Sequence, residues 1–244
     1  MKVLILGHKG MLGFVVHQYF KDQNIECITT DYRWPSKEFK NVIENFKGDA
    51  IINCIAITVP DKDKININFE LPIYLDTNTS CKIIHPGTDN ENEMGLYAAS
   101  KSKASLWILN EGKNTKIIRS SIIGPELTPK PYLFEYIKKS KEISLSNYAL
   151  WNGCTTLYWA KFCLNLLNNW DKFKKDTIIG SDCLSKVQLA YFIKDTFNLD
   201  ITVKPTQDKA FNRCLKQSNY SVPIQEQLID LKNFIYIYNQ NNTK

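Results

Sequence analysis

Tyr97-Ala98-Ala99-Ser100-Lys101 sets a phenol and an ammonium four residues apart, which on a helix means one face. A free tyrosine keeps its proton up to a pKa of about 10, too high for an efficient acid near neutral pH. An ammonium beside it favours the phenolate and lowers that value. Such a pair can hand a proton to an oxygen that is gaining negative charge, as when a ketone is reduced by hydride transfer. Thr88, shortly before the pair, adds a hydroxyl able to hold the same carbonyl. The spacing alone is weak, because 12 Tyr among many Lys make it common by chance. Its place in the chain gives it weight.

A second constellation lies at the start. Gly7, Gly10 and Gly13 form GxxGxxG in Gly7-His8-Lys9-Gly10-Met11-Leu12-Gly13. The apolar run Lys2 to Leu6 precedes it and an amphipathic stretch from Phe14 follows, so the glycines turn a strand into a helix. A turn of this kind brings backbone close to a pyrophosphate, and the helix start offers free N–H groups to its oxygens. Asp31 closes the next strand, where an acid can hold the adenine-ribose hydroxyls. Lys9 and Arg33, the latter beyond Tyr32, pull the other way, since either can neutralise a 2′-phosphate. The expected cofactor is NADP(H), with NAD(H) left open; Lys9, inside the turn, tips the balance.

These groups need elements to hold them. Apolar strands at Lys2 to Leu6, Ile25 to Thr30, Ala50 to Ala56, Lys82 to His85 and Thr115 to Arg119 alternate with helices near Lys40 to Phe46, Phe69 to Asn78 and Tyr97 to Asn110. Strands apolar throughout and alternating with helices predict a parallel sheet covered on both faces. The expected fold class is α/β, a Rossmann-type doubly wound parallel sheet over residues 1–124. Residues 125–244 are expected to form mainly a small C-terminal α/β substrate lobe, with room for strands or helices that return to the core. Its helices are predicted around Tyr132 to Lys141, Tyr158 to Trp170 and Ser185 to Phe197, with a frayed tail from Asn239.

Composition narrows the partners. The net charge of +6 is spread along the chain, with no basic stripe or recognisable module, so nucleic acid is not an expected partner. No apolar run approaches the roughly 18 residues of a membrane span, so no membrane partner is expected either. Seven scattered cysteines without a CxxC pair predict small buried hydrophobes in a reducing, cytoplasmic setting. His8, His17 and His85 share no metal-ligand spacing, and no metal is expected. Trp107-Ile108-Leu109 predicts either core or a homodimer face.

Together these residues resemble the extended short-chain dehydrogenase/reductases, and more narrowly the dTDP-4-dehydrorhamnose reductase-like sugar-nucleotide reductases. Asn53-Cys54-Ile55-Ala56-Ile57-Thr58 is similar to that family's N-x-A-A-x-T, Gly87-Thr88-Asp89 to its S-T-D, and Asn68 with Leu71-Pro72 to its next helix. The loop GHKGMLG also resembles that of GDP-fucose synthase, whose basic residue at the place of Lys9 implies NADPH use. Arg119 to Leu127, Trp151 to Thr156 and Asn212 to Tyr220 resemble substrate-side segments. The resemblance implies catalytic roles for Thr88, Tyr97 and Lys101, with Lys101 also holding ribose. It implies that Met11, Leu12, Cys54, Ile55, Ala56, Thr58 and Ile122 join the glycine turn in lining the cofactor path. For a nucleotide-sugar substrate it implies contacts from Thr88, Glu126, Trp151, Asn152 and Arg213. The activity implied is NADPH-dependent reduction of the 4-keto group of a nucleotide-linked 6-deoxyhexose (dTDP or UDP). The alternatives are a catalytically idle dinucleotide-binding regulatory subunit, or an epimerase or dehydratase of the same superfamily. One departure stands out: the family places a much longer loop between the Thr and the Tyr, where here only Asp89 to Leu96 intervene.

Overall fold

The computed structural model describes residues 1–58, 61, 64–91, 93–126, 132–216 and 218–242. Leu127 and Gln217, which belong to two of the family-like segments, lie outside the described residues. In chain order the elements begin β1 (Lys2–Leu6), α1 (Met11–Asp22), β2 (Glu26–Thr29), α2 (Lys37–Asn45), β3 (Ala50–Asn53), α3 (Ile67–Asn78), β4 (Lys82–Gly87), α4 (Leu96–Asn110) and β5 (Thr115–Arg119). They continue as β6 (Ile122–Ile123), α5 (Leu133–Lys139), β7 (Glu142–Ser146), β8 (Leu150–Trp151), β9 (Cys154–Thr155), α6 (Thr156–Asn168), β10 (Asp176–Ile178), β11 (Leu184–Ser185), α7 (Lys186–Phe197), β12 (Thr202–Thr206) and α8 (Ile224–Asn242).

Two compact units result: Met1–Arg119 with Ala160–Thr177, and Ser120–Trp159 with Ile178–Lys244. The first unit runs to Arg119, and most of α6 and the start of β10 return to it from the C-terminal half of the chain. Its sheet has six strands in the order β10-β5-β4-β3-β1-β2. The pairs β1–β2, β1–β3, β3–β4 and β4–β5 are all parallel. Every residue of β3 and Val3 to Leu6 of β1 are buried, which explains why these strands are apolar without alternation. The chain moves from β1 outward to β2, then crosses back to lay β3 on the other side of β1. This reversal opens a crevice beyond the carboxyl ends of β1 and β3.

Helices cover the sheet with apolar faces. Phe39 and Ile43 of α2 and Leu71 and Leu75 of α3 pack with Leu4, Leu6, Ile51 and Ile83 in one buried cluster. One buried carboxylate ties this layer to β5: Asp76 accepts from the N–H groups of Lys113 and Asn114, at 2.8 and 3.0 Å, and from Thr115 Oγ1 at 2.6 Å. Three donors offset the cost of burying that charge.

The second unit is built from short pairs. β12 runs parallel to β7, β11 antiparallel to β8, and β9 parallel to β6. A capping box of Ser185 and Gln188 starts α7. The helix α8 was not foreseen, and Asn239 to Asn242, expected to fray, belong to it. Its signal is the helical spacing of Ile224, Leu228 and Leu231, all buried. Gln227 on the same helix accepts from Thr155 N–H and donates to the carbonyls of Gly180 and Val222.

The cysteines correct an expectation. Cys183 and Cys214 form a disulfide, while Cys27, Cys54, Cys81, Cys154 and Cys163 stay free. Thirty-one residues separate the two partners, and only the fold brings them together, so counting and spacing could not reveal the pair.

Candidate active site

The glycine turn follows β1. Gly7 takes φ +77°, a conformation side chains resist, and the Gly10 N–H donates to Gly7 O at 2.9 Å to close the turn. A Cβ on Gly13 would stand 2.1 Å from Gly7 O, so this glycine lets α1 pack on the turn. A Cβ on Gly10 would meet only Gly7 O, at 3.3 Å. The fold therefore asks less of Gly10 than an incoming ligand would. Gly10 is also the N-cap of α1, and no side chain caps the helix. The N–H groups of the first turn, which holds Met11, Leu12 and Gly13, lack the usual side-chain acceptor. This cradle fits a pyrophosphate.

Beside it lies a pocket of about 740 Å³ lined by Gly7, Lys9 and Gly10 of the turn, by Asp31, Tyr32 and Arg33 beyond β2, and by Ile55 beyond β3. Asp31 and Lys9, weighed above as opposing signals, meet in an ion pair at 2.6 Å, with His8 Nε2 3.6 Å from the same carboxylate. The hydrogen bond from Lys9 holds the exposed Asp31 carboxyl below its usual range. Cys54, Ala56 and Thr58 follow β3 but do not line this pocket. Asn68 fixes their segment by pairing with both backbone groups of Ile57, at 2.8 Å each, while its Nδ2 also reaches Ser100 Oγ of α4 at 3.1 Å.

Beyond β4 come the groups suited to proton transfer. Tyr97 sits in the first turn of α4, half-buried, with its carbonyl accepting from Ser100 Oγ at 2.8 Å. Lys101, one turn on, is only 2% exposed; its Nζ lies 2.6 Å from Pro86 O and 3.0 Å from His85 Nε2. Burial pushes Lys101 down to about 8; Glu91 opposes this shift and Arg119 adds to it. Thr88 is buried, and its hydroxyl donates to Asp89 Oδ1 at 3.1 Å.

The start of the short loop is pinned. Glu91 Oε1 pairs with Arg119 Nη1 at 2.6 Å and accepts from Ser105 Oγ at 2.9 Å and from Thr88 N–H at 3.3 Å. Arg119 also donates to Thr88 O and binds Asp176 through Nη2 at 2.7 Å. Gly87 sits at a crowded place, where a Cβ would lie 2.8 Å from Ile117 Cγ2.

Sequence reasoning missed Glu91 and Asp176 as members of this cluster and set His85 aside, although it placed that ring near the crevice. His85 carried a signal, since a polar ring in an apolar parallel strand must find partners inside the protein.

The remaining site residues belong to the second unit. Ile122 lies on β6, paired with β9. Both carboxylate oxygens of Glu126 accept from Tyr132 N–H at the start of α5, and burial raises the carboxyl despite that bond. Trp151 is 2% exposed, so its indole is packed inside the protein and has little face left for stacking on a sugar. Asn152 spends both amide atoms on the backbone of Leu215, at 2.8 and 2.9 Å. That clamp, with the bond from Arg213 N–H to Leu150 O at 3.1 Å, holds the segment that carries Arg213.

No family model and no curated relative matches the chain. Solved structures do. A dTDP-4-dehydrorhamnose reductase from Clostridium acetobutylicum superposes with a TM-score of 0.75 at 20% identity, covering 97% of this chain and 100% of that one. One from Bacillus anthracis, solved in complex with NADP, gives 0.79 at 16% identity over 97% and 100% of the two chains. A UDP-N-acetylglucosamine 4-epimerase from Bacillus cereus gives 0.74 at 16%, over 97% and 99%. The chain therefore has the α/β fold that these sugar-nucleotide reductases and epimerases share.

Proposed function

We propose that the chain is an NADPH-dependent reductase of the 4-keto group of a nucleotide-linked 6-deoxyhexose. The observation that carries the reading is the placing of two sets of groups at one edge of one parallel sheet. An uncapped glycine cradle with Lys9 and Arg33 follows β1 and β2; Thr88, Tyr97 and Lys101 follow β4. The neighbours of the same fold support it, including the one solved with NADP.

The reduced nicotinamide, when bound, supplies the hydride. The chain supplies the rest. Tyr97 gives its phenolic proton to the keto oxygen as negative charge develops there. Lys101 as an ammonium favours the phenolate and so eases that transfer. Thr88 turns its hydroxyl from Asp89 to the carbonyl and orients it. Arg119 and Glu91 keep Thr88 in place from behind. In the second unit, Arg213 is proposed to meet the substrate diphosphate, a role that suits a guanidinium, whereas Asn152 and Leu150 hold its segment. We take the setting as cytoplasmic, where a reducing environment would hold Cys183 and Cys214 as neighbouring thiols, and a homodimer as the proposed assembly. Among the described residues, no helix is long and apolar enough to cross a membrane.

The test is turnover with NADPH against dTDP-, UDP- and GDP-linked 4-keto-6-deoxy sugars. Oxidation of NADPH by at least one member is expected; none by any member overturns the reading.

Cofactor choice gives a separate expected result. NADPH should bind more tightly than NADH, and Lys9→Ala should weaken NADPH roughly 3- to 10-fold, the size of one exposed charge-assisted hydrogen bond. NADH affinity should hardly move. A fluorescence titration that finds equal losses for both would place Lys9 away from the 2′-phosphate.

A further inference from the structure

His85 is 1% exposed on β4, and both its ring nitrogens have partners. Nε2 lies 3.0 Å from Lys101 Nζ, and Nδ1 lies 3.3 Å from Asn53 Nδ2. Asn53, at the end of β3, is not free to turn its amide, because its Oδ1 accepts from Ile55 N–H at 3.1 Å. Its NH₂ group therefore faces the ring. A neutral imidazole has one donor and one acceptor. Since Asn53 can only donate here, Nδ1 is best used as the acceptor, which leaves the ring proton on Nε2, aimed at Lys101.

Lys101 can accept that proton only as a neutral amine. Its ammonium form needs the other tautomer, with Nε2 bare and Nδ1–H set against the Asn53 amide hydrogens. The Pro86 carbonyl at 2.6 Å takes a hydrogen from either form. Three titratable or charged groups face Lys101 from its neighbours. His85 on β4 is held neutral, well below its usual range, by burial first and then by Lys101 and Arg119. Glu91 beyond β4 favours the ammonium, and Arg119 on β5 disfavours it.

We propose that Asn53 and His85 are positioning residues that set the charge on Lys101 through the tautomer of the buried ring. When Lys101 loses its charge it passes a proton to Nε2, and Nδ1 releases its own to solvent. One proton leaves, and the ring stays neutral. The consequence for catalysis rests on the reductase reading, in which only the ammonium tunes Tyr97. Turnover then falls on the alkaline side as the ring proton changes place.

Asn53→Asp tests this. The carboxylate is isosteric, keeps an acceptor for Ile55 N–H and offers its second oxygen to Nδ1–H. It locks Nε2 as the acceptor and adds a negative charge, so Lys101 should keep its proton to higher pH. The alkaline limb of kcat/KM is expected to move up by about one pH unit or more; an unmoved limb overturns the proposal and leaves the reductase reading standing. A second measurement needs no substrate. In ¹⁵N-histidine NMR, with the His85 signal assigned by its loss in His85→Gln, His85 of the unsubstituted protein should stay neutral from pH 6 to 10. The protonated nitrogen should change from Nδ1 to Nε2 near the value to which Lys101 is pushed, about 8. The Asn53→Asp variant should keep Nδ1–H throughout. A single tautomer across the range in the unsubstituted protein overturns the proposal. The tautomer change in a protein that reduces no keto sugar supports the charge-setting pair and overturns the reductase reading instead.

Discussion

Tyr97→Phe is expected to cut turnover by roughly 10²- to 10⁴-fold while leaving NADPH affinity within about twofold, the span that a positioned general acid typically contributes. The substitution removes one oxygen from a half-buried ring in the first turn of α4. The backbone bond from Ser100 Oγ to Tyr97 O persists, because it involves no part of the phenol. The buried contacts of Lys101 with Pro86 and His85 also persist. Loss of activity with intact binding and stability isolates the proton donor. Turnover within a few-fold of the starting protein would remove Tyr97 from the mechanism.

The second large effect is on stability. Arg119 holds Glu91 and Asp176 at 2.6 and 2.7 Å, and its side chain is only 12% exposed. Arg119→Met should leave both carboxylates without their cation. Breaking a buried pair by removing one partner costs about 3–5 kcal/mol, which for a chain of this size lowers the melting temperature by roughly 6–20 °C. The double variant Arg119→Met/Glu91→Leu should cost clearly less than the sum of its parts, because the second change removes a stranded charge. Thermal unfolding of Arg119→Met, Glu91→Leu and the double variant reads this directly. A loss under about 1 kcal/mol, typical of exposed pairs, would mean that water already screens the cluster and that it does not fix the Thr88 loop.

The first unit was largely legible because its signals are local. Val3 to Leu6 and Ala50 to Ile52 are buried on both faces, so their apolar character survives any detail of packing. Gly7, Gly10 and Gly13 announce their turn by their spacing between an apolar run and an amphipathic stretch. The second unit is held by strands of two residues, such as β8 and β9, whose pairing follows from the fold and not from their composition. The partners of buried polar groups are just as hidden. Asp76 reads as an ordinary helix residue until Lys113 to Thr115 are seen around it. Asn152 reads as a substrate amide until Leu215 is found to occupy both its atoms. Glu91 belongs to a loop that looks merely truncated in sequence, yet it meets Ser105 and Arg119, the latter from a neighbouring strand.

Reduction and epimerisation share this fold but differ in the fate of one hydrogen. With NADPH carrying deuterium at the reactive C4 position of the nicotinamide, one deuterium at C4 of the product sugar and one equivalent of NADP⁺ formed per turnover are expected. Mass spectrometry and proton NMR of the product read both. A product with no deuterium at C4, formed without net consumption of NADPH, would contradict the reductase assignment.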